Sequence, residues 1–153
     1  MLEFSLQQAD ARHRALLTRA FVRRCLVAAL ERPAELTVRI VDAEEGRQLN
    51  SGFRHKNYAT NVLTFDYAHT PVVVADLVLC APVVEREAQE QGISLPHHYA
   101  HLLVHGALHA QGWDHEDDGE AADMQALEAF VLATLGIADP YDRANRRATS
   151  RAK

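Results

Sequence analysis

The chain opens with strict alternation. Leu2, Phe4 and Leu6 are separated by polar residues, as in a strand with one face buried. From Ala11 to Glu31 the apolar residues Leu16, Leu17, Ala20, Phe21, Leu26 and Leu30 recur every three or four positions, which predicts an amphipathic helix ended by Pro33. Period two returns at Glu35–Val41, with Leu36, Val38 and Ile40 on one face. Asp42 is placed to cap a short helix from Ala43 to about Gly52. Two segments rich in β-formers, Asn61–Tyr67 and Val72–Cys80, flank a short turn around His69–Pro71 and read as a strand pair. Pro82 is placed to open the next helix and Gly92 to end it. A longer helix is predicted over Leu95–Gln111, terminated at Gly112, and a last one over about Gly119–Leu135, stopped at Gly136.

With 153 residues, no internal repeat and no break in composition before about residue 140, one domain over residues 1–141 is the economical reading. Beyond Tyr141 the chain carries Arg143, Arg146, Arg147, Arg151 and Lys153 with almost no apolar residues. Residues 142–153 are expected to be a basic, disordered tail, either simply solvated or touching an RNA backbone.

Cys25 and Cys80, the only cysteines, each lie in an apolar run, the usual setting of free, buried thiols in a reducing cytoplasm. No segment approaches the ~20 apolar residues of a membrane span, and the N-terminus lacks a signal-peptide pattern. The net charge of −5 means that bulk electrostatics would repel nucleic acid, so any RNA contact needs a local cationic patch.

The chemistry is concentrated in His105-Gly-Ala-Leu-His109-Ala-Gln-Gly112-Trp-Asp-His115. Histidines four apart on a helix share one face, and two such imidazoles can bind one cation. A third ligand requires the chain to turn back, which Gly112 permits, bringing His115 from the following loop. Three histidines and a water make the open coordination sphere of a catalytic zinc site. Nickel, copper or iron also accept imidazole. His101, one turn earlier, is read as partly exposed and unrelated to the metal, with a spare or outer-sphere role as the alternative. His97 and His98 are expected to be solvated, and Asp114 either orients an imidazole or caps the next turn.

The spacing also matches the metzincin metalloproteases, whose motif places a glutamate directly after the first histidine as general base. Here that position is Gly106, which has no proton acceptor, so ordinary proteolysis is disfavoured. A second cluster, Phe53-Arg54-His55-Lys56-Asn57-Tyr58-Ala59-Thr60-Asn61, offers cations, amides, a hydroxyl and aromatic faces that suit a phosphate backbone with unstacked bases, although an ordinary polar loop has the same composition.

Taken together, the histidine block, Arg54-His-Lys-x-x-x-Thr60-Asn61-Val-Leu-Thr-Phe65, Ala75-Asp76-Leu-Val-Leu and Leu135-Gly-Ile-Ala-Asp-Pro-Tyr141 resemble the YbeY family of bacterial metal-dependent endoribonucleases. The resemblance covers nearly the whole chain to about Tyr141. It implies an α+β fold, with a small mixed sheet of about four strands flanked by about five helices and a zinc-hydrolase-like cleft. It implies one Zn2+ held by His105, His109 and His115, with Arg54 and His105 catalytic, and cleavage of single-stranded RNA. It further implies action in maturation of small-subunit ribosomal RNA and in ribosome quality control, with the small ribosomal subunit and its proteins as partners. Lys56 and Asn61 are further candidates for substrate contact. The chain departs from the family pattern at Ala75, where glycine is frequent, and at Asn57 and Ala59, where Asp and Pro are common. The loop changes put in doubt the loop conformation rather than the metal site. The competing readings are an atypical metallopeptidase and a non-catalytic ribosome-associated factor with structural zinc.

Overall fold

The computed structural model describes residues 1–113 and 117–142. Their order is β1 (Leu2–Gln8), α1 (Arg19–Ala29), β2 (Ala34–Val41), α2 (Ala43–Arg54), β3 (Val62–Ala68), β4 (Val73–Cys80), α3 (Ala81–Gln91), α4 (Leu95–Ala110) and α5 (Asp118–Thr134), followed by a 3-10 turn, Pro140–Asp142. The four strands form one mixed sheet in the order β1-β2-β4-β3. β1, β2 and β4 run parallel and β3 pairs antiparallel with β4, so the architecture is the α+β one expected.

The alternation in β2 and β4 sorts side chains onto two faces. Leu36, Val38, Ile40, Ala75, Leu77 and Leu79 join the main core under α1, α4 and α5. Val41, Val78 and Cys80 point the other way into a smaller cluster with Leu63 and Val83, which Leu49, Ala59 and Phe65 pack against. Both cysteines are free and buried.

The helix boundaries follow local chemistry. Asp42 accepts the amide of Glu45 at 2.8 Å and starts α2. Gly92 ends α3 in the left-handed conformation, φ 67°, and Gly112 follows α4 at φ 101°. The main correction is at α1, which starts at Arg19 and not near Ala11. Thr18 caps it by accepting the amide of Phe21. Upstream, His13 is buried, its Nε2 donating to Glu85 at 2.8 Å while Nδ1 meets the Tyr99 hydroxyl at 2.7 Å. This tertiary anchor, with turn bonds from Leu16 and Leu17 back to His13, overrides the helical periodicity of the segment.

Candidate metal centre and cleft

α4 is almost wholly buried between the sheet and its neighbouring helices, yet His101, His105 and His109 are only partly buried. They form a line at spacing four along the one side of the helix that opens outward. That line forms a wall of a cavity of about 280 Å3 whose other lining residues are Arg54, Thr60, Asn61, Val62, Thr64, Leu102 and Tyr141. The cleft therefore lies between α4 and the segment that runs from the end of α2 into β3.

The depth of α4 against the sheet is set at Gly106. A methyl group there would meet Leu77 at 3.2 and 3.3 Å and the Thr64 hydroxyl at 3.6 Å. Gly106 thus lets the helix approach β4 and β3 closely, and a larger residue there would require Leu77 to give by a few tenths of an ångström.

The rings of His105 and His109 lie 5.1 Å apart, centroid to centroid, at 68°. Their spacing and shared cavity fit two nitrogen donors to one cation. His115, Asp114 and Glu116 lie outside the described residues. Among the described residues, no three His, Cys, Asp or Glu side chains converge as a metal cage. Two of the three expected donors, His105 and His109, lie among the described residues, and the third, His115, lies outside them.

Behind this pair sits Glu128 of α5, which is 1% exposed. Its Oε1 accepts from His101 Nε2 at 2.7 Å and from the Tyr141 hydroxyl at 2.7 Å, and its Oε2 lies 3.2 Å from His105 Nδ1. Burial pushes this carboxyl up, but donation from His101, His105 and Tyr141 outweighs it and holds the group down at about 2. Sequence reasoning missed Glu128. The available signal was its place in the apolar stripe Met124, Leu127, Val131, Leu132 of α5, where a carboxylate has no solvent and must find donors. His101, expected to be unrelated to the metal, is bound to this carboxylate and lines the cleft.

His98 is also corrected. It is 3% exposed, and its Nε2 donates to Glu87 at 2.9 Å. Glu87 accepts from Asn61 Nδ2 at 3.0 Å, so this part-buried pair fixes one of the cleft residues. Burial pushes the Glu87 carboxyl up, but its bonds to His98 and Asn61 hold it below the usual carboxylate range. His97 is exposed as expected.

Arg54 is the last residue of α2 and faces the cleft. Arg12, Arg39, Arg47 and Arg86 each pair with a carboxylate, whereas Arg54 has no carboxylate partner among the described residues. The chain then turns through His55 in the left-handed conformation, φ 58°. The loop beyond is pinned from α2: buried Asn50 donates to the Tyr58 carbonyl at 2.8 Å, and Arg47 donates to Asn57 Oδ1 at 2.7 Å. Asn57 and Ala59, the departures from the family pattern, are thus accommodated, Ala59 packing on the smaller core cluster. Lys56 is exposed and does not line the cavity. Phe53, 66% exposed, meets Phe65 edge-to-face at 4.9 Å.

A buried α4 bearing the histidine line thus faces the end of α2, whose Arg54 has no carboxylate partner among the described residues. The family model of the endoribonuclease YbeY matches residues 3–136. The chain belongs to the YbeY family. An endoribonuclease YbeY of Methylibium petroleiphilum is 65% identical over 141 residues, covering 92% of this chain and 95% of that protein. One from Paracidovorax citrulli is 63% identical over 141 residues, with 92% and 93% covered. Among solved structures, the solution structure of a Thermotoga maritima protein shares the fold, with a TM-score of 0.55, 21% identity, and 88% of this chain and 91% of that one covered. Among the described residues, no helix of this YbeY-family chain is long and apolar enough to cross a membrane.

Proposed function

We propose that residues 1–141 form a zinc-dependent, single-strand-specific endoribonuclease domain that acts in the cytoplasm in small-subunit ribosomal RNA maturation and ribosome quality control. Family membership supports endoribonuclease activity. The ribosomal role is proposed on the strength of the same kinship. The observation that carries the chemical reading is that Arg54, a cation without a carboxylate partner among the described residues, shares a cavity with His105 and His109.

His105, His109 and His115 would hold the ion through ring nitrogens. When bound, it would supply a Lewis acid to a phosphate oxygen and acidify water at the site. Arg54 binds the scissile phosphate by charge-assisted hydrogen bonds and offsets the negative charge that builds there in the transition state. Thr60, Asn61 and Thr64 add neutral polar groups on the same wall, suited to a sugar-phosphate backbone. Lys56 contributes a backbone contact from outside the cavity, and the exposed ring of Phe53 offers a stacking surface for an unpaired base. A duplex holds its bases in a stack and cannot use such a ring, which supports single-strand preference.

The test is cleavage of a labelled single-stranded RNA, with and without chelator, alongside metal analysis. His109→Ala should lose zinc and cleavage together; a variant that retains stoichiometric zinc would remove this site. Product ends separate the attacking group. A 2′,3′-cyclic phosphate marks attack by the RNA 2′-hydroxyl, and a direct 5′-phosphate marks attack by water.

A further inference from the structure

We propose that Glu128 is the positioning residue of the metal centre: it fixes the His105 tautomer so that Nε2, and not Nδ1, is the nitrogen offered to a cation. This rests on the reading that His105 is a ligand. A carboxylate without a proton can only accept, so its approach to His105 Nδ1 at 3.2 Å requires the ring proton to sit there. In a neutral ring the lone pair is then on Nε2. Neutral imidazole in water favours the opposite tautomer, so this one needs a partner to hold it.

Glu128 is suited to that task because it is buried and held through both oxygens. Its other oxygen is held at 2.7 Å by His101 of α4 and at 2.7 Å by Tyr141 from the 3-10 turn after α5. Both carboxylate oxygens are therefore committed, and with the side chain 1% exposed, water does not compete for them. The carboxylate thereby ties His101 and His105, one turn apart on α4, to α5. An outer carboxylate on a metal-binding imidazole orients the ring and raises its basicity, and its loss typically costs 10–100-fold in metal affinity.

Glutamine at this position keeps the shape but has one acceptor oxygen. If that oxygen serves His101 and Tyr141, its amide group faces His105 and donates to it, which favours the wrong tautomer. Two readouts test this, neither of them activity. The first is the protonated nitrogen of His105 in the metal-free protein, read by long-range proton–nitrogen correlation spectra at a pH where the ring is neutral. The second is zinc affinity by chelator competition. The wild-type protein should show the proton on Nδ1, and Glu128→Gln should move it to Nε2 and weaken zinc binding 10–100-fold. A wild-type proton on Nε2 overturns the proposal, as does a folded Glu128→Gln protein whose zinc affinity stays within about twofold of wild type, far inside the expected loss. If the variant does not fold, the wild-type tautomer alone decides. Zinc lost in His109→Ala but unchanged in Glu128→Gln would refute this role while leaving the metal site standing.

Discussion

Replacing Arg54 by alanine isolates one charge. The residue is exposed, ends a helix and has no carboxylate partner among the described residues, so its removal orphans no anion. Its cost to folding should stay within ~0.5 kcal/mol, the range of surface substitutions. It also lies on the opposite wall of the cleft from His105 and His109, so zinc content should be unchanged. The loss should fall on the transition state. Removing one preorganised donor to a developing oxyanion costs about 10²–10³-fold in kcat, or roughly 2.7–4 kcal/mol. The assay is single-turnover cleavage of a labelled RNA oligomer over a range of salt concentrations. Binding should also lose about one phosphate contact, making the slope of log affinity against log salt shallower by ~0.7 for a single strand. Arg54→Lys should recover the salt slope but only part of the rate, because an ammonium lacks the planar fork. Cleavage within about threefold of wild type, against that 10²–10³-fold expectation, would make Arg54 an ordinary surface residue. A parallel loss of zinc would show that the two walls are not independent.

Other expectations follow from residues that shape the site. Gln111→Leu removes the donor to the carbonyls of Ala29 and Ala107 and the acceptor of the Glu31 amide, all at or under 3.0 Å. At about 1 kcal/mol per hydrogen bond and more for any buried group left orphaned, it should destabilise by roughly 2–4 kcal/mol in urea titration, and a change below about 0.5 would show that water replaces the side chain. His55→Gly relieves a left-handed residue and should raise stability by up to ~1 kcal/mol, whereas a loss would mean the imidazole makes a contact worth more than the strain. Burial pushes the Cys25 thiol up to about 11 and raises that of Cys80, so neither should react with a thiol reagent near neutral pH until the protein unfolds. Rapid labelling of the native protein would contradict their burial.

The sheet was legible because its signals are local. Period two in β2, the Pro82 and Gly92 punctuation of α3, and Asp42 as a cap each act over a few residues. The shared position of His105 and His109 was legible because spacing four on a helix places them together wherever the helix lies. The start of α1 was not legible, since it depends on His13 reaching Tyr99, 86 residues away. The burial of His98 and the role of His101 were hidden for the same reason: their carboxylate partners come from α3 and α5. Arg54 reads in sequence as one cation among many. What distinguishes it is its place on the cleft wall opposite His105 and His109, a property of tertiary arrangement.

The missing methyl group at residue 106 has a consequence for redesign. A carboxylate base grafted next to the first histidine would sit against the Leu77 side chain, which would have to give by a few tenths of an ångström. Conversion to a peptidase-like base therefore asks for an adjustment at a helix–sheet contact as well as the change of a single codon.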